Sequence, residues 1–436
     1  MTSLSRVLSA ALLLMCALPA WGGLTIQITR GAQGAVPIAV VPFAWSGTAP
    51  APPQDISAIV SADLARSGRF EPLASANLIA HPTTPSQVNL QSWRVLGVNN
   101  LVIGQVQALA NGQFQVEFYL YDVYQSQPQS QLLGQRFTVS AAKLRDTAHH
   151  ISDLIYQQLT GERGAFDTRI AYVTVSGPLK SRQYALQVAD SDGYNARTIL
   201  RSSQPLMSPA WSPDGTHLAY VSFESGRPQI FSQDLATGAR RVLTSFSGIN
   251  GAPAWSPDGR QLAVTLSRNG NPDIYVLDLA SGRVRRVTHN PAIDTEAAWS
   301  PDGRELVFTS DRGGSPQIYR IPAQGGEARR VTFEGNYNAR ASFSPDGTRI
   351  AMVHREQGKY RIAVLDLKTG VLQVVSDGSM DESPSFAPNG RMILYSTEYH
   401  NRRVLATVTV DGHAGQRLVS QEGDVQEPAW APYAAR

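Results

Sequence analysis

The sequence predicts a mixed architecture: an N-terminal α/β domain, with a mixed sheet and two or three helices, followed by a six-bladed all-β propeller. Three observations predict it. An aromatic-led motif recurs six times in the second half at a nearly fixed interval. Each interval carries the same succession of short apolar runs and turn residues. The first half lacks the repeat and mixes strand-like with helix-like segments. At 436 residues the chain exceeds one ordinary domain of about 150. The boundaries expected are a leader over 1–22, an α/β domain over 23–163 and the propeller over 164–436.

Hydrophobic content of 42% and charged content of 17% suit a globular chain. Lys+Arg less Asp+Glu is 38 − 35 = +3, with no run of like charge. That excludes a protein that works by coating nucleic acid. The many Gly (36) and Pro (27) favour turns and short strands over helical bundles.

Arg6 precedes the apolar run 7–18 and then Pro19-Ala20-Trp21-Gly22, the pattern of a cleavable export leader. The run is shorter than the ~20 residues that span a bilayer. Cleavage is expected before Gly23, with cleavage after Ala20 as the alternative. The only cysteine, Cys16, lies within this leader. Lipidation there would need a small preceding residue, and Met15 is large. Without further cysteine, disulfides, thiol nucleophiles and Cys-ligated zinc are excluded. No later stretch is long and apolar enough for a membrane helix, so the mature chain is expected to be soluble outside the cytoplasm, not spanning a membrane.

Residues 25–29 and 37–43 read as strands. Asp55 can cap a helix with Ile56, Ile59, Val60 and Leu64 on one face, stopped at Gly68. A further helix is expected over 87–96. Runs 100–109 and 113–123 flank Asn111-Gly112, a strong hairpin signal, and 132–140 is another strand. A helix over 141–159 sets Leu144, Ala148, Ile151, Ile155 and Leu159 on one stripe and ends at Gly161. Residues 161–168 then form the linker.

The repeat is anchored at Trp211, Trp255, Trp299, Phe343, Phe386 and Trp430, spaced by 44, 44, 44, 43 and 44 residues. A period in the forties falls in the range of propeller blades. After Trp255-Ser-Pro-Asp-Gly come strands over 261–266, 273–279 and 284–288, separated by polar turns. With the anchor strand 252–255 these make one four-stranded antiparallel blade. Ser-Pro-Asp-Gly suits a tight turn: Pro fixes φ, Asp hydrogen-bonds locally and Gly accepts φ > 0. Asp214, Asp258, Asp302 and Asp346 are therefore turn residues rather than catalytic ones. The first body, 169–200, precedes the first anchor, and the last anchor has no body after it. The C-terminal strand should complete the first blade and leave no open edge.

The loops before the anchors must ring one mouth of the channel. They carry Met207, Ile249, Asn250, Gly251, Asp294, Thr295, Glu296, Asn338, Ala339, Arg340, Asp381, Glu382 and residues 424–427. These vary while the anchors do not, so the scaffold repeats and the loops specialise. Six carboxylates, from Asp294, Glu296, Asp381, Glu382, Asp424 and Glu427, face one Arg340. An acidic mouth that attracts a basic segment or a cation is expected.

Enzyme signatures are lacking. There is no Gly-x-Ser-x-Gly elbow, and His149-His150 has no Glu-x-x-His pattern. His81, His217, His289, His354, His400 and His413 are scattered, most of them expected at the surface or in turns. No Gly-rich motif opens a helix. The pairs Arg240-Arg241, Arg285-Arg286 and Arg329-Arg330 start outer strands, where a solvated face is the simpler explanation. No cofactor or metal is expected. Two other functions fit a propeller: gating a separate peptidase, or metal-assisted glycan cleavage at the channel.

The order of leader, small α/β domain and six blades resembles the TolB family, periplasmic proteins of the Gram-negative Tol-Pal system. The resemblance covers essentially the whole chain and is sharpest over 37–43, 161–172, 204–215 and 223–227. It implies a non-enzymatic adaptor that supports outer-membrane integrity and cell division. Such proteins bind the peptidoglycan-associated lipoprotein Pal through the propeller and the inner-membrane protein TolA through the N-terminal segment. Other outer-membrane proteins are further potential partners, and a monomer is expected. Matching the loops puts the family's Pal contacts on Met207, Ala252, Thr295 and Glu296. Ile249 stands where the family can carry a histidine. The TolA-binding segment corresponds to 23–33, including Leu24, Thr25, Ile26, Gln27 and Ile28. From the residues alone, that segment reads as an edge strand of the N-terminal sheet.

Overall fold

The computed structural model describes residues 26–30, 34–47, 54–126, 128–418 and 423–434. The leader, Leu24 and Thr25 lie outside the described residues. In chain order the N-terminal half contains β1 (Ile26–Arg30), β2 (Val36–Val40), β3 (Ala44–Ser46), α1 (Ile56–Arg66) and β4 (Phe70–Pro72). It continues with α2 (Leu90–Val95), β5 (Asn100–Ala108), β6 (Gln113–Asp122), β7 (Gln131–Ser140) and α3 (Leu144–Thr160).

The N-terminal sheet runs β4-β2-β5-β6-β7, with β3 also on β5. Pairings of β2 with β4 and β5 are parallel, and those of β6 with β5 and β7 antiparallel. The sheet is therefore mixed. Its centre is covered on both faces, which explains the unbroken apolar run through β2. Ile38 and Val40 pack with Ile56, Val60 and Leu64 of α1 and Ile151 and Ile155 of α3. Ala39 and Val41 pack on the other face with Leu90 and Trp93 of α2.

Local chemistry sets the helix ends. Asp55 accepts from the Ala58 N–H at 3.0 Å and starts α1. Gly161, at φ 78°, ends α3 in the left-handed conformation that favours glycine. The helix expected over 87–96 is shorter. A 3₁₀ turn occupies Pro85–Gln87, and Asn89 caps the Gln91 N–H at 3.2 Å, which delays the α-helix to Leu90. Residues Ala141–Lys143 are likewise a 3₁₀ turn ahead of α3.

The second half forms six antiparallel blades. In blade two the strands are Leu206–Trp211, His217–Ser222, Gln229–Asp234 and Arg240–Thr244, from the channel outward. Blade one takes its innermost strand, Asp424–Trp430, from the C-terminus, paired antiparallel to Arg169–Ser176. Each anchor turn is held by its own side chains. In blade three Ser256 Oγ donates to Asp258 Oδ1 at 2.6 Å, and that oxygen also accepts the Arg260 N–H at 3.0 Å. Gly259 follows at φ 71°. The anchor indoles join neighbouring blades: Nε1 of Trp211, Trp255 and Trp299 donates to the carbonyls of Ala429, Ala210 and Ala254 at 3.1, 3.2 and 3.0 Å.

One expectation is corrected. β1 is not an edge strand of the N-terminal sheet. It pairs antiparallel with Gly415–Leu418, the outer strand of blade six, with Ile26 opposite Leu418 and Ile28 opposite Gln416. Both neighbours of β2 are already taken by β4 and β5, so the adjacent sheet offers β1 no edge there. Blade six does, and becomes five-stranded.

The two halves share a core. The cluster around α1 and α3 continues into Ile170 and Tyr172 of blade one and Met392, Leu394 and Leu405 of blade six.

Candidate partner-binding mouth of the propeller

The innermost strand of every blade is bulged near its start. In blades two, three and four the register shifts between Met207 and Ala210, Gly251 and Ala254, and Thr295 and Ala298. The residue three before each anchor has a left-handed backbone: Ser208 (φ 50°), Ala252 (46°), Glu296 (56°), Arg340 (54°), Ser383 (56°) and Glu427 (50°). None is glycine, so each costs about 1–2 kcal/mol of backbone energy. Neighbouring blades satisfy N–H groups that the bulges turn away from the ladder. The Glu296 N–H meets Thr265 Oγ1 at 3.3 Å, the Arg340 N–H meets Thr309 Oγ1 at 3.0 Å, and the Ser208 N–H meets the Glu427 carboxylate. All six residues line the channel cavity of about 970 Å³.

Three of the six carry charge. Arg340 Nε donates to Glu296 Oε1 at 2.7 Å, Nη2 to Glu427 Oε1 at 3.3 Å and Nη1 to Ser383 Oγ. Burial opposes the guanidinium charge, but the Glu427 and Glu296 carboxylates outweigh it and raise the Arg340 pKa. Thr309 Oγ1 holds the other Glu296 oxygen at 3.2 Å. Blades four, five, six and one are thereby tied across the channel.

The remaining carboxylates do not form the expected acidic mouth. Asp294 is fully buried, and both its oxygens accept from Arg312 Nη2 at 2.9 and 2.8 Å. Asp381 is also fully buried, accepting from Thr397 Oγ1 at 2.5 Å and from Ser376. Burial raises its pKa. Glu382 pairs with Arg403 at 2.6 Å, and Asp424 accepts the Arg403 N–H at 3.0 Å. Arg312 and Arg403 stand outside the pre-anchor loops, so counting charges along those loops missed them. Asn250 is buried too; its amide donates to the Phe246 and Gly248 carbonyls at 2.7 and 3.2 Å and shapes the loop. Asp294 and Asp381 therefore support the mouth rather than face it, while Asn250 helps form its wall.

Exposed apolar side chains stand at the mouth, where Met207 and Ile249 line the cavity and Ile293 holds the position equivalent to Ile249. Met207, Ile249 and Ile293, from consecutive blades, are 38%, 44% and 48% exposed. Thr295 is half-buried, 3.2 Å from Thr265 through the hydroxyls. Ile293 was missed in the sequence, although it precedes its anchor by the same six residues as Ile249. Ser208, Ser383 and Glu427 share the three-residue offset of Ala252, Glu296 and Arg340, the signal that could have placed all six in one ring. Elsewhere, His354 is buried, with Nδ1 2.8 Å from Asn338 Oδ1. Among the described residues one cluster has metal-ligand spacing, His149, Asp190 and Asp192, and it lies at the domain junction away from the mouth.

Residues 156–434 match the TolB beta propeller domain, and residues 24–129 match the TolB amino-terminal domain. The chain belongs to the TolB family. It is 64% identical to the Tol-Pal system protein TolB of Nitrosococcus oceani over 410 residues, covering 94% of this chain and 93% of that one. With its counterpart from Thioalkalivibrio sulfidiphilus it shares 59% identity, covering 99% and 100%. The crystal structure of TolB from Acinetobacter baumannii superposes with a TM-score of 0.86 at 45% identity, covering 94% of this chain and 100% of that one. The chain is thus a periplasmic TolB-type propeller protein, and membership of this family supports a non-enzymatic role.

Proposed function

We propose that this TolB-family chain is a periplasmic adaptor that takes a Pal-like lipoprotein on the propeller mouth and offers its N-terminal segment to a TolA-like inner-membrane protein. Export would remove residues 1–22, leaving an α/β domain to about residue 163 and a propeller beyond it. The observation that carries the reading is the mouth itself: six equivalent strained bulges on one scaffold, which carry four different residue types, serine, alanine, glutamate and arginine. Strain of this kind persists where the surrounding structure fixes it, and it collects at functional sites. The apolar arc of Met207, Ile249 and Ile293 would supply the buried centre of the interface, with Ala252 and Thr295 beside it. Glu296, Arg340 and Glu382 would form its polar border.

Blade six links the two proposed sites. Glu382, on its innermost strand, is held by Arg403 on its third strand. That strand pairs with Gly415–Leu418, which carries β1 with Ile26, Gln27 and Ile28. A partner that draws on Glu382 can therefore change how firmly β1 is held, in addition to occupying the mouth.

Calorimetric titration with soluble Pal from the same envelope tests the mouth. Wild type should bind, and the Thr295→Arg, Glu296→Lys chain should lose binding while keeping its fold. Wild-type chain that fails to bind would overturn the reading.

A further inference from the structure

The N-terminal domain meets blade one through a buried charge network. From α1, Arg66 donates to the Ser191 carbonyl at 2.8 Å and to Asp63 Oδ1 at 2.9 Å. From α3, Arg145 reaches Asp192 and lies 3.3 Å from Asp190, and its guanidinium stacks 3.9 Å from the Tyr194 ring. His149 sits between the two domains, with 2% of its side chain exposed. Its Nδ1 is 2.7 Å from Asp63 Oδ2. Its Nε2 points toward Asp192 Oδ2 at 3.8 Å and makes no hydrogen bond.

Both ring nitrogens thus face carboxylates. A neutral imidazole has one N–H and one lone pair, so it would aim that lone pair at an anion. Only the imidazolium offers N–H on both sides. The charge count agrees. Among the groups directly ion-paired with one another there, Asp63, Asp190 and Asp192 bring three negative charges, and Arg66 and Arg145 two positive ones. A proton on His149 completes neutrality, and an uncompensated buried charge is costly.

We infer that His149 is a proton-operated latch between the two domains: protonated, it ties α1 and α3 to the Asp190–Asp192 turn of blade one, and deprotonation loosens that contact. Burial opposes the proton, but Asp63 and then Asp192 outweigh it and raise the His149 pKa. The charged groups that act on it are Asp63 and Arg66 on α1, Asp167 in the linker, and Asp190 and Asp192 on blade one, and Arg145 on α3 holds those last two carboxylates. His149, Asp190 and Asp192 also have metal-ligand spacing. The Arg145 guanidinium already occupies both carboxylates, so the proton is the favoured occupant.

The test is carried out with a chelator present. Nuclear magnetic resonance of the full chain, with histidine labelled at Cε1, should find His149 titrating above the ordinary value of about 6.5. Asp192→Asn should shift that titration downward. Dyes on Val95→Cys and Val371→Cys, in a Cys16→Ser chain, report the separation of the domains, since both sites are exposed and no other cysteine exists. Domain separation should change in step with the His149 titration. Three results would each overturn the latch: titration at or below about 6.5, separation constant through the titration, or tight zinc binding lost in His149→Gln. The last would assign the cluster to a metal.

Discussion

Replacing Arg340 by alanine removes the cation that joins Glu296, Ser383 and Glu427 across the channel. Two carboxylates are left facing each other over a partly dry space. Breaking a fully buried pair in this way costs about 3–5 kcal/mol, and breaking an exposed one about 0–1 kcal/mol. The side chains of Arg340, Glu296 and Glu427 are 31%, 25% and 13% exposed, so the cost should lie between these limits, at about 2 kcal/mol. For a domain of this size that lowers the unfolding midpoint by roughly 5 °C. The assay is thermal unfolding followed by tryptophan fluorescence, on a double-mutant cycle of Arg340→Ala with Glu296→Gln and Glu427→Gln. Neutralising the carboxylates should recover at least about 1 kcal/mol of the loss, because the residues are in contact. A wild-type midpoint for Arg340→Ala, or the same cost in the neutralised background, would show that Arg340 does not hold the two carboxylates across the channel.

Ala252→Gly should raise stability by up to about 1 kcal/mol, since glycine adopts its left-handed backbone freely but loses more entropy on folding; denaturant titration checks this, and destabilisation would contradict it. Burial pushes Asp153 up to about 7 and Asp190 up to about 6. Both therefore bind protons more tightly in the folded state than unfolded, so their contribution is full below about pH 4 and lost as pH rises toward 7. Asp153→Asn should flatten that decline in stability, and an equally steep decline would contradict it. Ile293→Asp should weaken Pal binding at least about tenfold without moving the unfolding midpoint, because Ile293 is half exposed and lies in the apolar arc; unchanged affinity in calorimetry would remove it from the interface.

Local signals made the fold readable. The strands Gln261–Leu266 and Asp273–Asp278 pair across a turn marked by Asn and Gly, and Asp55 and Gly161 mark helix ends with their own chemistry. Long-range pairing was not readable. Nothing near Ile26 signals that its partner is Leu418, because strand pairing at that separation depends on which edges remain free. The mouth was half legible. Its loops could be placed by the repeat, but Arg312, from a turn, and Arg403, from the third strand of blade six, reach in and neutralise carboxylates counted there. The bulge that turns Ser208, Ser383 and Glu427 inward is a backbone feature shared by serine, alanine, glutamate and arginine alike.

The proposed coupling between the mouth and β1 runs through blade six. Its most direct test is the affinity of the TolA-like partner for this chain, measured with and without saturating soluble Pal. Linkage predicts a difference on the order of 5- to 150-fold, as typical coupling energies give. Equal affinities in the two conditions would contradict the coupling.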